Sequence, residues 1–454
     1  MPTYRIVTLG CKLNQADSWA LEARLRALGL ARAADVEGED SEKRPAREAD
    51  VVILNTCTVT GNADREARQI ARRLRRSNPR ATLIATGCYA ERDPASLRAA
   101  ALVDHVVGLR DQAARVQALA AAALGLRPEP YRDALGPFGP TEACDPAADA
   151  ADRTRAYLKI QDGCDLRCSY CVIPAVRGGS RSLPPEPVLL QIGRLSAAGY
   201  REIVFTGVNT GEYGQDLDPP LRLHDLLERA LLVPGLGRLR LNSLEPKTVT
   251  REVISDLAES GGRLARHLQI PLQSGCDRVL GRMRRPYRTA DYARLVETLR
   301  RELPEIGLGA DVIVGFPGET DEEFEATYRF IASSPLNYLH VFSYSPRPGT
   351  AAASLPEQVP PPVTKERGAR LRALGRELSL RFRRSFLGRD LPVLALREIR
   401  PDGRLRALSD NFIDLGLDLE GRPAGSFFNR LLSARITDVT PDDTLGRMNL
   451  VRIG

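Results

Sequence analysis

Gly163-Cys164-Asp165-Leu166-Arg167-Cys168-Ser169-Tyr170-Cys171 carries three cysteines in the spacing C-x-x-x-C-x-x-C. Three thiolates so placed can bind three irons of a four-iron, four-sulfur cluster and leave the fourth without a protein ligand. Electron-transfer clusters are ordinarily closed by four cysteines, so an open iron is a coordination site for another molecule. Two other readings compete. Disulfide frameworks belong to small secreted chains. This chain has 454 residues, and Met1-Pro2-Thr3-Tyr4 leads directly into strand-like Arg5-Ile6-Val7 with no apolar leader. A zinc site pairs C-x-x-C with a second such pair or with histidines, and none of the four histidines lies near Cys164 in sequence. The cluster is favoured, with zinc the reading that remains.

Upstream of the triplet, strands and helices alternate. Residues 4–9, 51–55 and 82–86 are short, apolar and β-branched, as buried parallel strands are. Helical patterns at 15–28, 63–76 and 94–101 follow them; a fourth strand at 105–107 precedes an alanine-rich helix at 111–124. This predicts a small doubly wound α/β domain. Its cysteines read Leu9-Gly10-Cys11, Asn55-Thr56-Cys57 and Thr86-Gly87-Cys88, each just past a strand's carboxyl end. Those ends share one edge of an open parallel sheet, where ligands bind. One such cysteine reads as core packing; three in one topological position point to a second metal cluster. Gly10 and Gly87 allow close backbone approach to it.

Residues 125–152 are rich in Pro, Gly and Ala and read as a linker that includes Cys144, not expected to be a ligand. Downstream, strand patterns at 157–161, 203–207, 238–243, 268–272, 309–314 and 339–344 alternate with helical patterns at 187–198, 221–231, 290–302 and 321–333. They predict a partial (β/α)6 barrel with functional loops at its C-terminal face. The triplet follows its first strand. Gly207-Val208-Asn209, Ser243-Leu244-Glu245, Gln273-Ser274-Gly275 and Gly315-Phe316-Pro317-Gly318-Glu319 follow later ones. Cys276 reads as structural. After a basic helix at 365–383, short β-rich runs at 391–396, 404–408, 412–417 and 429–438 predict a small β-barrel module, a type that commonly binds oligonucleotides. The expected domains are 1–124, 153–384 and 385–454, about the number that the length predicts.

No apolar run approaches a membrane span, so a soluble, cytoplasmic protein is expected, with its eight cysteines reduced. Net charge is +7. The segment from Lys365 to Arg389 holds nine basic residues against two acids and accounts for all of it. A second basic stretch runs from Asp64 to Arg80. Such clustering fits a phosphate-binding stripe, and a solvated helix face would give the same pattern.

The triplet, with Tyr170 before its last cysteine, resembles the radical S-adenosylmethionine enzymes. Thr8-Leu-Gly-Cys11-Lys-Leu-Asn-Gln15, Asn55-Thr-Cys57-Thr-Val-Thr60 and Thr86-Gly-Cys88-Tyr-Ala-Glu91 resemble the methylthiotransferase subset. Pro271-Leu-Gln-Ser-Gly275, Val314-Gly-Phe-Pro-Gly-Glu319 and Tyr344-Ser-Pro-Arg-Pro-Gly-Thr350 agree, and the terminal module resembles a TRAM domain. The likeness covers nearly the whole chain. It is closest to the branch that modifies N6-threonylcarbamoyladenosine at tRNA position 37, although Asn209 and Thr210 stand where that branch has His and Leu. Sister branches act on isopentenyladenosine in tRNA or on an aspartate of a ribosomal protein. A non-catalytic RNA-binding iron–sulfur redox sensor is the alternative of another class.

The resemblance implies two [4Fe-4S] clusters. One, on Cys164, Cys168 and Cys171, takes S-adenosylmethionine at its open iron and cleaves it reductively. The other, on Cys11, Cys57 and Cys88, carries the sulfur inserted at C2 of adenine. It further implies Tyr170, Ile313 and Val314 around adenine, and Gly207, Asn209, Ser243, Glu245, Gln273 and Ser274 around the rest of the cofactor. The implied partners are the tRNA anticodon stem-loop, a reductant such as flavodoxin or ferredoxin, and a sulfur donor.

Overall fold

The computed structural model of the protein describes residues 1–33, 49–99, 102–127 and 154–449. Most of the segment read as a linker, with Cys144, lies outside them. The N-terminal unit is a five-stranded parallel sheet. In spatial order its strands are Ala31–Arg32, Thr3–Thr8, Val51–Thr56, Thr82–Gly87 and His105–Val106. Val51–Thr56 is buried along its whole length, and its alternate residues feed two cores. Val52 and Leu54 pack with Ala67, Ala71 and Leu74 of helix Gly61–Ser77. Val51 and Ile53 pack with Leu21 and Leu25 of helix Lys12–Ala27 and with Val116 and Ala120 of helix Gln112–Ala123. Helices therefore cover both faces, as a doubly wound sheet requires. The edge strand Ala31–Arg32 was not legible because two residues carry no periodicity.

The six expected central strands form two parallel arcs of three. Arg238–Arg240, Glu202–Thr206 and Arg155–Lys159 make one; His267–Gln269, Gly307–Val314 and Tyr338–Ser343 make the other. Leu239 bridges the arcs through hydrogen bonds to Arg263 and Ala265. Helices Pro185–Ala197, Leu223–Leu231, Thr289–Glu302 and Asp321–Ser333 wrap the outside and share one apolar core with the strands.

The basic helix runs over Pro361–Arg384. It leads into a closed five-stranded barrel of Asp390–Ile399, Leu405–Ser409, Asp414–Asp418, Thr444–Asn449 and Leu431–Val439 in spatial order. The strand Thr444–Asn449 closes it and was not among the expected runs. Its alternation is blunted by Gly446, where a Cβ would stand 2.8 Å from Leu415 Cδ1. The barrel docks on the central unit through Arg240, which donates to Ser409 O and Asp410 O at 3.1 and 3.0 Å, and through Arg266 on Asp410.

Candidate active site

Register brings the first three cysteines together. Thr8 pairs with Asn55, Asn55 with Thr86, and Thr56 with Gly87, so the three strands end level. Each cysteine then enters or precedes a helix: Cys11 caps Lys12–Ala27, Cys57 lies three residues before the Thr60 cap of Gly61–Ser77, and Cys88 opens Cys88–Arg92. Helix N-termini favour the thiolate form. Gly10 takes φ +104°, and a Cβ there would stand 2.6 Å from Cys57 Cβ and 3.0 Å from its sulfur. Asn14 ties the edge together by donating to Leu9 O at 2.8 Å and Thr56 O at 3.0 Å, while its Oδ1 lies 3.9 Å from both Cys11 and Cys88 sulfurs. Cys57 and Cys88 are buried and Cys11 is exposed. Burial pushes the Cys88 thiol up to about 12, against the nearby Arg177 guanidinium. Bound metal would remove that penalty, since a coordinating thiol deprotonates outright.

The second cysteine set follows the first central strand. Its loop is pinned by Cys164 N–H on Gly178 O at 3.1 Å, Ser169 N–H on Met283 O at 3.0 Å, and Ala352 N–H on Ser169 O at 2.7 Å. Cys164, Cys168 and Cys171 open into a cavity of about 270 Å³. Burial pushes Cys164 up to about 12 and Cys171 to about 11. Arg285 Nη1 donates to Cys168 Sγ at 3.0 Å, and the same guanidinium pairs with Glu245. Among the described residues no three Cys, His, Asp or Glu side chains converge on a single ion. Both sets consist of unpaired thiols, the ligand type by which iron–sulfur clusters are held, and so fit the cluster in the chemistry of their donors.

Tyr170, Asn209, Ser243, Glu245 and Gln273 all line that cavity. Asn209 Oδ1 and Gln273 Oε1 are buried without a hydrogen-bond partner, as they would be where a polar ligand completes the site. Ser243 and Gln273 have φ of +59° and +62°, left-handed backbone that non-glycine residues hold at a cost. The other four expected cofactor contacts fall outside the cavity. Ser274 is fully buried and its hydroxyl meets Thr327 Oγ1 at 3.2 Å. Val314 is fully buried in the barrel core, and Ile313 packs with Phe316 beside Tyr170. Gly207 has Gln161 Oε1 2.7 Å from where a Cβ would stand. Glu319 is spent on Gly315 N–H and Arg367. Cys276 caps helix Asp277–Arg282 and packs in the apolar cluster beside Tyr170.

A buried arginine ties the first cysteine set to the unit that carries the second. Arg177, six residues after Cys171 and fully buried, donates to Cys88 Sγ at 3.3 Å, Asn14 Oδ1 at 3.0 Å, Asp17 Oδ2 at 2.9 Å and both Asp162 oxygens at 3.1 Å. Lys159 completes the network on Asp17 at 2.6 Å and Asp162 at 3.5 Å. Burial alone would raise Asp162, but Arg177 and Lys159 hold it at about 2. A second seam joins Arg347 to Thr58 and Asp64, at 2.7 and 2.5 Å, just past Cys57. Asn14, Arg177 and Arg285 were missed by sequence reasoning. Asn14 sits one helical turn after Cys11 and was findable; the two arginines acquire their roles only through tertiary contacts. Larger clefts, of about 880 and 750 Å³, lie at the C-terminal barrel interface and beside Arg177, and no cysteine lines either.

An open α/β barrel with a cysteine triplet after its first strand, facing a cysteine-edged α/β domain, defines the class as a radical S-adenosylmethionine enzyme with an added domain. Residues 158–331 match the family model described as the radical SAM superfamily, and residues 3–108 match the uncharacterized protein family UPF0004. The chain is 38% identical over 425 residues to the threonylcarbamoyladenosine tRNA methylthiotransferase MtaB of Bacillus subtilis (strain 168), covering 91% of this chain and 90% of that protein. It is 33% identical over 449 residues to the tRNA-2-methylthio-N(6)-dimethylallyladenosine synthase of Acidothermus cellulolyticus, covering 98% and 84%. The chain belongs to the radical S-adenosylmethionine methylthiotransferase family. Among solved structures, the radical S-adenosylmethionine methyltransferase TsrM of Kitasatospora setae shares the fold, with a TM-score of 0.52 at 19% identity over 78% of this chain and 77% of that one. S-adenosylmethionine and two iron–sulfur clusters are the family's cofactors. No helix among the described residues is long and apolar enough to cross a membrane.

Proposed function

We propose that the protein methylthiolates C2 of N6-threonylcarbamoyladenosine at position 37, beside the tRNA anticodon, and works in the cytoplasm. The observation that carries the reading is the presence of two three-cysteine sets, one on each of two units that Arg177 pins together through Cys88, Asp17 and Asp162. Bound there, S-adenosylmethionine and the clusters supply the methyl group, the sulfur and the radical hydrogen abstraction that an unactivated aromatic C–H demands.

The chain's own residues bind, orient and shield. Cys164, Cys168 and Cys171 hold the cofactor-binding cluster, with Arg285 beside Cys168 to offset thiolate charge. Asn209, Ser243, Glu245 and Gln273 offer the donors and acceptors that fix a cofactor rich in hydroxyl, amine and carboxylate groups, and Tyr170 supplies an aromatic wall. Cys11, Cys57 and Cys88 hold the sulfur-carrying cluster, with Asn14 and Arg177 orienting its ligands. A base reaching both sets must leave the anticodon loop, where single-stranded bases can be splayed and stacked on aromatic rings. Tyr338, His340 and Phe342 alternate on one face of the last barrel strand. Tyr338 stacks on His267, His340 lies 3.3 Å from Asp311 of the cavity wall, and Phe342 is 43% exposed, available for stacking. The electrons come from a reductant such as flavodoxin or ferredoxin and the sulfur from a separate donor. Mass analysis of tRNA nucleosides from cells with and without the gene tests the reading: loss of the methylthio derivative of threonylcarbamoyladenosine supports it, and loss of a different nucleoside, or of none, refutes it.

A further inference from the structure

Lys12 directly follows Cys11, and its Nζ donates to Asn242 Oδ1 at 3.3 Å. Asn242 lines the cavity of Cys164, Cys168 and Cys171. The lysine thus reaches from the residue after Cys11 to the wall of the cavity that the second cysteine set opens into.

It is the front of a buried cationic group. Behind it Arg155, Arg238 and Arg240 share one fully buried carboxylate, Glu202, at 3.8, 3.1 and 3.0 Å. Arg155 Nη1 and both terminal nitrogens of Arg238 have no hydrogen-bond partner, and Arg238 is 2% exposed. Lys12 Nζ and the Arg240 guanidinium lie 5.7 and 5.3 Å from the centroid of the same Phe412 ring. Arg238 also has Asp410 nearby and lines the cleft at the C-terminal barrel, but Lys12, Arg155 and Arg240 have Glu202 as their shared carboxylate; an excess of positive charge in a desolvated place is expensive unless an anion completes it.

A splayed base enters such a site ahead of its backbone, which leaves the base's own substituent and the cofactor as the nearest sources of an anion. The two adenosine classes named for the relatives differ in this respect. A threonylcarbamoyl group ends in a carboxylate, and a dimethylallyl group is apolar. Resting on the function proposed above, we propose that Lys12, backed by Arg155 and Arg240, binds the carboxylate of an acidic N6 substituent and so selects it over an apolar one.

The test uses the reconstituted holoenzyme and anticodon stem-loop RNAs bearing threonylcarbamoyladenosine, its methyl ester or dimethylallyladenosine. A hydrogen bond to a charged group predicts that the acid binds about tenfold or more tighter than the ester. Lys12→Gln should collapse that preference, Lys12→Arg should keep it, and Arg155→Gln should weaken it. Affinity for S-adenosylmethionine should not change. A preference retained in Lys12→Gln, no preference in the wild type, or a loss of cofactor affinity in place of RNA selectivity each overturns the inference. Should Lys12→Gln fail to fold, the Arg155→Gln selectivity decides. If the wild type methylthiolates threonylcarbamoyladenosine while Lys12→Gln keeps the preference, only the inference fails. If the wild type modifies no adenosine, the functional reading fails first.

Discussion

Replacing Arg177 by Met should loosen the seam between the cysteine edge of the N-terminal sheet and the first strand of the central barrel. The guanidinium donates to Cys88, Asn14, Asp17 and both oxygens of Asp162 from a site that is only 3% exposed at the side chain. Met fills most of the volume but leaves Asp17 and Asp162 to share Lys159 alone. Removing one partner of a buried ion pair costs about 3–5 kcal/mol, and the lost bonds to Asn14 and Cys88 add about 1 kcal/mol each before relaxation. A loss of about 5 kcal/mol in the opening of this seam is expected, the low end of that sum because Lys159 still pairs with both carboxylates. A chain of several units need not unfold in one step, so the assay is hydrogen exchange of the Lys12–Ala27 amides. A double-mutant cycle with Asp17→Asn should give a coupling of roughly 1–3 kcal/mol. Loss below about 1 kcal/mol with additive effects would refute the reasoning.

Other outcomes follow from the same contacts. Burial would raise Glu202, but Arg240 and Arg238 hold it at about 2 against an ordinary 4.5. A depressed carboxylate stabilises the fold above its unfolded value and loses that contribution as pH falls from about 4.5 towards 2. The stability gap between wild type and Glu202→Gln, at most about 3 kcal/mol, should therefore be largest above pH 4.5 and narrow below it; a pH-independent gap in melting experiments contradicts this. Arg376 is exposed, whereas Arg383 is spent on Thr440 O, Pro441 O, Asp443 O and Thr444 Oγ1 of the C-terminal barrel. Arg376→Glu should weaken tRNA binding and lower the salt slope by about 1, while Arg383→Ala should show its effect in the melting of the C-terminal barrel; equal RNA-binding defects would count against the division.

Much of this was legible because strand ends and cysteine spacing are local properties. Cys11, Cys57 and Cys88 could be placed on one edge from strand order alone, and the triplet from its spacing. Tyr170, Asn209, Ser243, Glu245 and Gln273 reach the cavity because the turn after each strand aims inward. Ser274 and Val314 do not, since Ser274 turns to Thr327 and Val314 packs in the barrel core, contacts that lie in other segments. Charge was the least legible property. Arg367, Arg383, Arg177 and Arg285 look alike in sequence to solvated arginines, yet each has its partners in another segment. The fifth barrel strand hid behind Gly446, whose bare backbone is what lets Leu415 approach.

The division of labour between the cysteine sets is tested most directly by comparing reconstituted wild type, Cys168→Ala and Cys57→Ala. Each is supplied with reductant, S-adenosylmethionine and tRNA bearing threonylcarbamoyladenosine, and both 5′-deoxyadenosine and the methylthio nucleoside are measured. The wild type should give both products, Cys57→Ala 5′-deoxyadenosine without the methylthio nucleoside, and Cys168→Ala neither. Methylthiolation by Cys57→Ala, or reductive cleavage by Cys168→Ala, would contradict the assignment of two clusters with separate tasks.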